Sequence, residues 1–294
     1  MSVLVSAEAA LAFYGMNASR PELGAVLDHA CLQSPDPDKA AAFLERAYAM
    51  TRKAIPGGWQ CTGRDRTLLV RQGPANRIAF FAYAFESAEA LAAHRGKLEA
   101  GSRTPEPDPS PLFGGNAHAF ADPDGNLVAF GVRARSRAGA EEPLPARLQH
   151  LAFRTPRLAA MVSFYASLGF VVSDRVEDDT GALRACFLRT DSEHHALALF
   201  GAPEARFDHL SCETRDAAAV IAWADRMAAS GIAIHWGIGR HGPGNDVFFM
   251  VKDPDGNLIE ISADIEVCEA SRPAGTWRHE ERTLNLWGTA IMRS

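Results

Sequence analysis

Two histidines and one glutamate stand in apolar stretches of this sequence where polar side chains are costly to bury. His150 lies in "LQHLAF", His209 in "FDHLSCET" and Glu260 in "DPDGNLIEIS". A carboxylate between Ile259 and Ile261 costs several kcal/mol unless it faces solvent, is paired or binds a cation. Two imidazoles and one carboxylate on one face of a metal leave other positions open, the arrangement that non-haem Fe(II) oxygenases use. The three residues therefore indicate a metal centre, and an exposed strand edge is the alternative for Glu260.

An internal repeat strengthens the metal interpretation. "ADPDGNLVAFG" at 121–131 nearly duplicates "KDPDGNLIEIS" at 252–262, and further matches extend along the chain. The repeat pairs His150, His209 and Glu260 with His29, Ala82 and Ala129, in that order. A single histidine on a half-buried strand is usually structural. Three polar residues in register with a repeat that elsewhere has alanine favour a shared function in the second copy.

Each copy must position these residues on strands. Both copies have the pattern of a strand, a helix, two or three short strands, a second helix and a closing hairpin, which predicts an α+β fold with largely antiparallel sheets. The charged, Gly- and Pro-rich "RARSRAGAEEPLPARL" indicates a linker between them. We predict an extension at 1–24, a non-catalytic domain at 25–133, a linker at 134–146, a metal-binding catalytic domain at 147–265 and a tail at 266–294.

Composition excludes several functional classes. The 294 residues have a formal net charge of −6 and scattered basic residues, so a nucleic-acid partner is not expected. The five cysteines have no CxxC spacing, which indicates neither a disulfide scaffold nor a zinc ribbon. No apolar run reaches the length of roughly 20 residues that a membrane span needs, and no basic leader precedes the first apolar residues. A cytoplasmic protein is predicted, with a tail that buries Trp277, Leu284, Leu286 and Trp287.

Other histidines could move protons beside a metal. "SEHHALALF" places His194 and His195 at the start of an apolar strand, where alternation turns them to opposite faces. At most one of the two should therefore face the cavity, and we expect His194 to be an exposed loop residue. His241 lies in the Gly-rich "GIGRHGPGND", a suitable place for a side chain over a pocket. Free imidazoles titrate near neutral pH and can act as acid or base.

Together these motifs resemble the type I extradiol catechol dioxygenases of the vicinal oxygen chelate superfamily. The resemblance rests on "HLAF", "HLSCET", "HHALAL", "GRHGPGN" and "DPDGNLIEIS" and covers nearly the whole chain, including "RTLNLWG" in the tail. It implies two tandem vicinal-oxygen-chelate domains, each a pair of βαβββ modules forming an open barrel-like sheet, with the metal site in the C-terminal domain. It also implies an Fe(II) enzyme, with Mn(II) as the alternative metal, O2 as co-substrate, a small aromatic diol as substrate, and a homo-oligomer.

The resemblance assigns roles residue by residue. His150, His209 and Glu260 look like the metal ligands, His195 like the acid/base beside the metal, and His241 like the histidine that binds substrate. Trp236, Phe248 and Phe249 could stack on an aromatic ring, although each also suits a core. One departure concerns Met250, which stands where the family usually has a tyrosine; a thioether cannot donate the hydrogen bond of a phenol.

Two other functions use the same scaffold. A metal-dependent glyoxalase-like lyase, isomerase or hydrolase is one, although such sites often take ligands from both modules and the first module has Ala129. A drug-sequestering protein without turnover is the other, but it would not need acid/base groups such as His195 and His241. Ring cleavage of a catechol to a semialdehyde-type product is the leading hypothesis.

Overall fold

The structure is a computed structural model that describes residues 23–101, 104–132 and 142–292. In these residues two large sheets and a few helices form an α+β fold, which confirms the predicted fold class. Most of the predicted extension at 1–24 and of the predicted linker at 134–146 lies outside the described residues. No helix in the described part of the chain is long and apolar enough to span a membrane.

The first sheet comes from the first copy of the repeat. Its strands are β1 (Ala25–Ser34), β2 (Thr51–Ile55), β3 (Gly58–Gly63), β4 (Arg66–Gln72), β5 (Arg77–Phe85), β6 (His118–Ala121) and β7 (Leu127–Val132). They lie in the order β2-β3-β4-β1-β5-β7-β6. The central strand β1 pairs with β4 in parallel and with β5 in antiparallel orientation.

The second sheet repeats this topology and extends it. Its strands are β8 (Ala146–Thr155), β9 (Val171–Glu177), β10 (Leu183–Arg189), β11 (Leu197–Gly201), β12 (Arg206–Thr214), β13 (Ile234–Arg240), β14 (Val247–Lys252), β15 (Leu258–Ala263) and β16 (Gly275–Arg278). They lie in the order β13-β14-β15-β12-β8-β11-β10-β9-β16. Strand β8 pairs with β11 in parallel and with β12 in antiparallel orientation, as β1 does with β4 and β5. The predicted repeat is therefore present in the sheet topology.

Strand register corrects one pairing of the repeat. In the first sheet Ala82 pairs with His29, and in the second Ser211 pairs with His150. Ala82 therefore corresponds to Ser211, and the counterpart of His209 is Phe80, two residues earlier. The prediction that Ala82 stands in place of His209 was wrong by two residues, because alternating apolar strands of similar composition match equally well after a shift of two.

Five helices lie among the described strands. They are α1 (Pro37–Tyr48), α2 (Ala88–Ala100), α3 (Leu158–Ser167), α4 (Ala217–Ala229) and the short α5 (Glu281–Leu284). Side-chain oxygens of Asp36, Ser87 and Asp216 accept a backbone N–H in the first turn of α1, α2 and α4. Such caps satisfy donors that a helix start leaves unpaired.

The two "DPDGN" turns have the same construction. Asp253 accepts hydrogen bonds from the backbone N–H of Asp255 and Asn257, and Asp122 does the same in the first copy. Gly125 and Gly256 have φ values of 86° and 85°, where a glycine avoids the strain that a Cβ would cause. This turn fixes the start of β15 and therefore the height of Glu260 on the sheet.

One continuous core joins the two sheets. Phe81 of β5 and Phe153 of β8 have ring centroids 5.3 Å apart in a cluster of buried residues from both halves. The buried hydroxyl of Tyr83 donates to the carbonyl of Ala196 across the same boundary at 2.9 Å. All five cysteines are free and buried.

The C-terminal tail packs onto the second sheet, as predicted, but not with every expected residue. Trp277 packs against the apolar cluster that contains Phe187 and Phe200, and Leu284 packs against the cluster that contains Trp236. Trp287 is 56 % exposed, so the prediction that it is buried was wrong. The Arg240 guanidinium lies 5.2 Å from its ring centroid at the surface.

Candidate metal centre

Three adjacent strands bring the predicted metal ligands to one face of the second sheet. His150 lies on β8, His209 on β12 and Glu260 on β15, and these strands are neighbours. Ser211 pairs with His150 on one side and with Glu260 on the other. Residues paired in register share a face of the sheet, and so do residues two apart on one strand. His209, two residues before Ser211, therefore joins the other two.

The three side chains meet in the interior. Nε2 of His150 lies 3.0 Å from Nε2 of His209 and 3.8 Å from Oε1 of Glu260. One ligand atom from each residue falls within 4.8 Å of the others, and all three residues are buried. Metal–nitrogen and metal–oxygen bonds of about 2.1 Å place the ligand atoms of one ion about 3 to 4 Å apart. The separations fit a single shared ion.

Hydrogen-bond chemistry also fits a cation at this point. Oε1 of Glu260 is buried without a hydrogen-bond partner among the described residues. Burial raises the pKa of the Glu260 carboxyl, but the charges of His241 and His209 outweigh it and lower the pKa below the usual value. Glu260 is therefore an anion. A buried carboxylate oxygen without a donor is costly, and a bound cation would remove that cost.

Neighbouring side chains orient both imidazoles. Nδ1 of His150 donates to Oε1 of Gln149, and the amide nitrogen of Gln149 donates to the carbonyl oxygen of His195 at 2.7 Å. Nδ1 of His209 lies 3.5 Å from Oδ1 of Asp208, and Oδ2 of the same carboxylate accepts from Nε of Arg154 at 3.1 Å. Metal-binding histidines usually give their other N–H to such an acceptor, which leaves Nε2 free for the ion.

Two further histidines surround the three residues. His195 is buried, and its ring centroid lies 4.4 Å from that of His150. Burial lowers the pKa of His195 well below its usual value, and the neighbouring histidines lower it further, so the neutral imidazole is favoured. His194 is fully buried, so the prediction that it is an exposed loop residue was wrong. Its Nε2 lies 3.0 Å from Oδ2 of Asp174, a buried carboxylate that the sequence pattern did not connect with it.

His241 approaches Glu260 from the other side. Its Nδ1 donates to the carbonyl oxygen of Leu284 at 2.6 Å, and its Nε2 lies 3.5 Å from Oε2 of Glu260. Burial lowers the pKa of His241, but the charges of Asp246 and Glu260 outweigh burial and raise the pKa above the usual value. The ring stacks on Phe248 with centroids 3.7 Å apart.

Asp246 was not predicted from the sequence. It is 1 % exposed, and burial raises the pKa of its carboxyl to about 7, although the charge of His241 acts in the opposite direction. Asp246, His241 and Glu260 form a second set of possible ligand atoms within 4.8 Å of one another. The sequence signal that could have found Asp246 is an acid directly before the apolar strand β14. Glu260 was identified in a similar way, as an acid among apolar residues.

A narrow cavity opens at these residues. It is mostly apolar, and none of its described lining residues is lysine or arginine. The lining residues are His150, Phe187, His195, Ala198, Phe200, His209, Trp236, His241, Pro243, Thr283 and Leu284. Apolar walls with a few polar groups are typical of sites that bind small organic ligands. Phe187, Phe200 and the two tail residues were not predicted, because they come from β10, β11 and the distant tail.

The remaining predicted aromatic and sulfur residues differ in their placement. Trp236 lines the cavity, and Phe248 and Met250 are buried in one apolar cluster with it. Met250 pairs in register with Glu260, so its side chain lies beside the three candidate ligands. Phe249 packs into the main core on the other face of the strand and is not brought to the cavity.

Comparison with known proteins decides the family. Over 293 aligned residues the chain is 30 % identical to metapyrocatechase 2 of Cupriavidus necator, which covers 90 % of this chain and 89 % of that protein. The family model for the glyoxalase/bleomycin resistance protein/dioxygenase superfamily matches residues 147–261. The chain belongs to this superfamily. The same matches confirm the resemblance to extradiol catechol dioxygenases.

Other members of the superfamily share part of the sequence or the fold. The manganese-dependent 2,3-dihydroxybiphenyl 1,2-dioxygenase of Geobacillus genomosp. 3 is 32 % identical over 122 residues, or 41 % of this chain and 38 % of that protein. Homoprotocatechuate 2,3-dioxygenase of Arthrobacter globiformis has a TM-score of 0.78 at 23 % identity, over 93 % of this chain and 91 % of that one. The Mn(II)-bound glyoxalase of Novosphingobium aromaticivorans has a TM-score of 0.76 at 25 % identity, over 90 % of each chain.

The first sheet cannot build the same site. Phe80 and Ala129 stand where the second sheet has His209 and Glu260. The remaining histidine, His29, is bonded on both ring nitrogens, to Asp28 at 2.7 Å and to Ser110 at 2.6 Å. The candidate centre therefore belongs to the second copy alone among the described residues.

Proposed function

We propose that this chain is an Fe(II)-dependent extradiol dioxygenase that opens the ring of a catechol-like aromatic and inserts both atoms of O2, giving a semialdehyde-type product. The observation that supports it most is the buried group of His150, His209 and Glu260 beside a mostly apolar cavity. Similarity to metapyrocatechase 2 over 90 % of the chain supports the reaction class. Mn(II) suits the same ligands and is the alternative metal.

The chain supplies binding, orientation and proton transfer. His150, His209 and Glu260 would hold the metal, which would supply Lewis-acid chemistry toward a catechol hydroxyl and redox chemistry with O2. His195, favoured as a neutral imidazole, would take a proton from the substrate and return it later. His241, whose pKa is raised by the charges of Asp246 and Glu260, would donate a hydrogen bond to a substrate oxygen. Phe187, Phe200 and other apolar walls would exclude water and pack on the ring.

The lining also supports a substrate class. None of the described lining residues is a lysine or arginine that could pair with a substrate carboxylate, and Glu260 already places one negative charge at the site. A substituent that is uncharged and apolar fits this wall, whereas a carboxylate would be desolvated without a partner. We therefore expect catechol, alkylcatechols or arylcatechols to be preferred to carboxylated catechols.

The test begins with protein purified without oxygen. Iron and manganese are measured, and O2 uptake and the yellow ring-opened product are then followed with catechol, 3-methylcatechol, 2,3-dihydroxybiphenyl and 3,4-dihydroxybenzoate. We expect turnover with the first three and a much lower kcat/KM with the last. Iron-loaded protein that is silent to the whole panel overturns the reaction; equal kcat/KM for the carboxylated compound overturns only the substrate class.

A matched pair of variants tests the site rather than the fold. His150→Gln should lose metal and turnover, whereas His29→Gln alters the corresponding position of the first sheet and should retain both. Loss of metal in both variants would mean that the effect comes from general damage to the fold.

A glyoxalase-type reaction is the second candidate, because the Mn(II)-bound glyoxalase of Novosphingobium aromaticivorans shares the fold over 90 % of each chain. Manganese-loaded protein would then isomerise the thiohemiacetal formed by an α-ketoaldehyde and a thiol. Turnover of that substrate without any O2 uptake on catechols would replace the leading proposal. Cytoplasmic location and a homo-oligomer remain predictions; sedimentation of the purified protein tests the oligomer.

A further inference from the structure

A line of buried groups leads from the cavity into the sheet behind it. His195 lines the cavity, and its Nδ1 lies 3.0 Å from Nδ1 of His194. Nε2 of His194 lies 3.0 Å from Oδ2 of Asp174 on β9. All three residues are at most 3 % exposed. In such a series of contacts, the nitrogen that carries the hydrogen on one imidazole determines which nitrogen carries it on the next.

Asp174 fixes the direction at the inner end. Its Oδ1 accepts from the backbone N–H of Gly275 at 3.0 Å and from Arg272 at 3.1 Å, and its Oδ2 accepts from Nε1 of Trp277 at 2.7 Å. Burial raises the pKa of Asp174, but these donors and His194 outweigh it and hold the pKa at about 2. An ionised carboxylate only accepts. Nε2 of His194 lies 3.0 Å from this anion, although not in line for a hydrogen bond, and at that distance a hydrogen on Nε2 is more stable than a lone pair.

The position of the hydrogen on His194 determines its position on His195, which lines the cavity. When His194 carries its single hydrogen on Nε2, its Nδ1 has a lone pair. The 3.0 Å contact between the two Nδ1 atoms is then satisfied only when His195 is the donor. His195 would carry its hydrogen on Nδ1 and keep a lone pair on Nε2. The geometry points to Asp174 and His194 as positioning residues that hold His195 in the tautomer able to act as a base toward the cavity.

This inference rests on the proposed function for its chemical meaning. The O–H bond of a substrate hydroxyl breaks, its electron pair stays on oxygen, and the proton forms a new bond to Nε2 of His195. The imidazolium keeps its Nδ1–H on His194, whose own hydrogen still faces the anionic Asp174. The opposite tautomer of His195, with hydrogen on Nε2, could not accept that proton. A carboxylate that orients a catalytic histidine through hydrogen bonding is known to change rates strongly in other enzymes.

Asp174→Asn keeps the size of the side chain and should reverse the direction of hydrogen bonding from Asp174 through His194 to His195. The charged guanidinium of Arg272 and the backbone N–H of Gly275 hold the amide oxygen at the Oδ1 position more strongly than the neutral Nε1–H of Trp277 holds it at the Oδ2 position, which turns the NH2 group toward Nε2 of His194. The amide NH2 group then donates a hydrogen bond toward His194, where the carboxylate oxygen could only accept one. His194 must move its hydrogen to Nδ1, and His195 must move its own to Nε2. Trp277→Phe is the matched control, since it removes one donor to the same carboxylate and leaves the charge unchanged.

The tautomer is read directly by long-range 1H–15N NMR of histidine-labelled protein loaded with diamagnetic Zn(II), with the signals of His195 identified by their loss in His195→Gln. We expect a protonated Nδ1 in the wild type and in Trp277→Phe, and a protonated Nε2 in Asp174→Asn. A wild type with hydrogen on Nε2 of His195 overturns the inference, and this result needs no folded variant.

Kinetics supply a second readout on the iron enzyme. Asp174→Asn should keep its metal and lose about 10²-fold in kcat, with a small change in KM. In the His195→Gln background the same change should have no further effect, because it acts through His195. An equal loss in that background would assign Asp174 to the fold instead. A wild type that cleaves no catechol overturns the proposed function, whereas the zinc-form spectrum still decides the tautomer.

Discussion

Replacing Glu260 by glutamine tests the candidate metal centre through the stability of the protein. The variant keeps the size of a side chain that is fully buried but removes the negative charge and one oxygen near His150 and His209. Losing an outer partner of a metal ligand usually weakens metal binding 10- to 100-fold. Loss of a charged ligand should therefore weaken it by about 100-fold or more.

The consequence can be calculated by linkage. Metal at a free concentration of about 100 times the wild-type Kd stabilises the wild type by about 2.7 kcal/mol. If Kd rises about 100-fold, the same concentration stabilises Glu260→Gln by only about 0.4 kcal/mol. The difference of about 2.3 kcal/mol corresponds to a Tm shift of roughly 4 °C for a chain of this size.

The assay is anaerobic thermal unfolding with Mn(II) titrated into metal-free protein, followed by metal analysis after desalting. His29→Gln is the control and should show the full metal-induced rise in Tm. A Glu260→Gln variant that gains as much Tm as the wild type would refute the assignment of Glu260 as a ligand, even if its activity were lost.

Three further predictions concern single side chains. Asp208→Asn should weaken metal binding about 10- to 100-fold, measured by chelator competition, because the acceptor near Nδ1 of His209 is altered. His195→Gln should keep iron and lose about 10²-fold or more in kcat, followed by O2 uptake; unchanged kcat would remove it from the mechanism. Burial lowers the pKa of His118 to about 4, so the unfolded chain takes up this proton first as pH falls, and stability present above about pH 6.5 is lost toward pH 4. His118→Phe should reduce the loss of unfolding free energy between pH 7 and pH 5 by about 2 kcal/mol, measured with urea; an unchanged loss would contradict the assignment.

The sequence predicted the fold class, the repeat and the meeting of His150, His209 and Glu260, because a costly side chain in an apolar strand is visible without a structure. It could not predict the burial of His194. That burial depends on Asp174, twenty residues earlier and two strands away in the sheet. The register of β5 was wrong for a related reason: an alternating strand shifted by two residues keeps the same face, so composition alone does not set it.

The position of the C-terminal tail was only partly predictable from the sequence. In the structure the tail contacts side chains on two sides of the candidate site. The segment was expected to bury apolar residues, yet its backbone and polar atoms have the more specific contacts. The carbonyl of Leu284 accepts from His241, and Trp277 donates to Asp174. One short segment therefore orients groups on two sides of the cavity. In the described residues of the first sheet no strand corresponds to β16, and His29 is the one counterpart of the three candidate ligands that is kept. The first sheet has the same strand arrangement with Phe80 and Ala129 at the positions of His209 and Glu260, so the sheet topology does not require these two polar side chains.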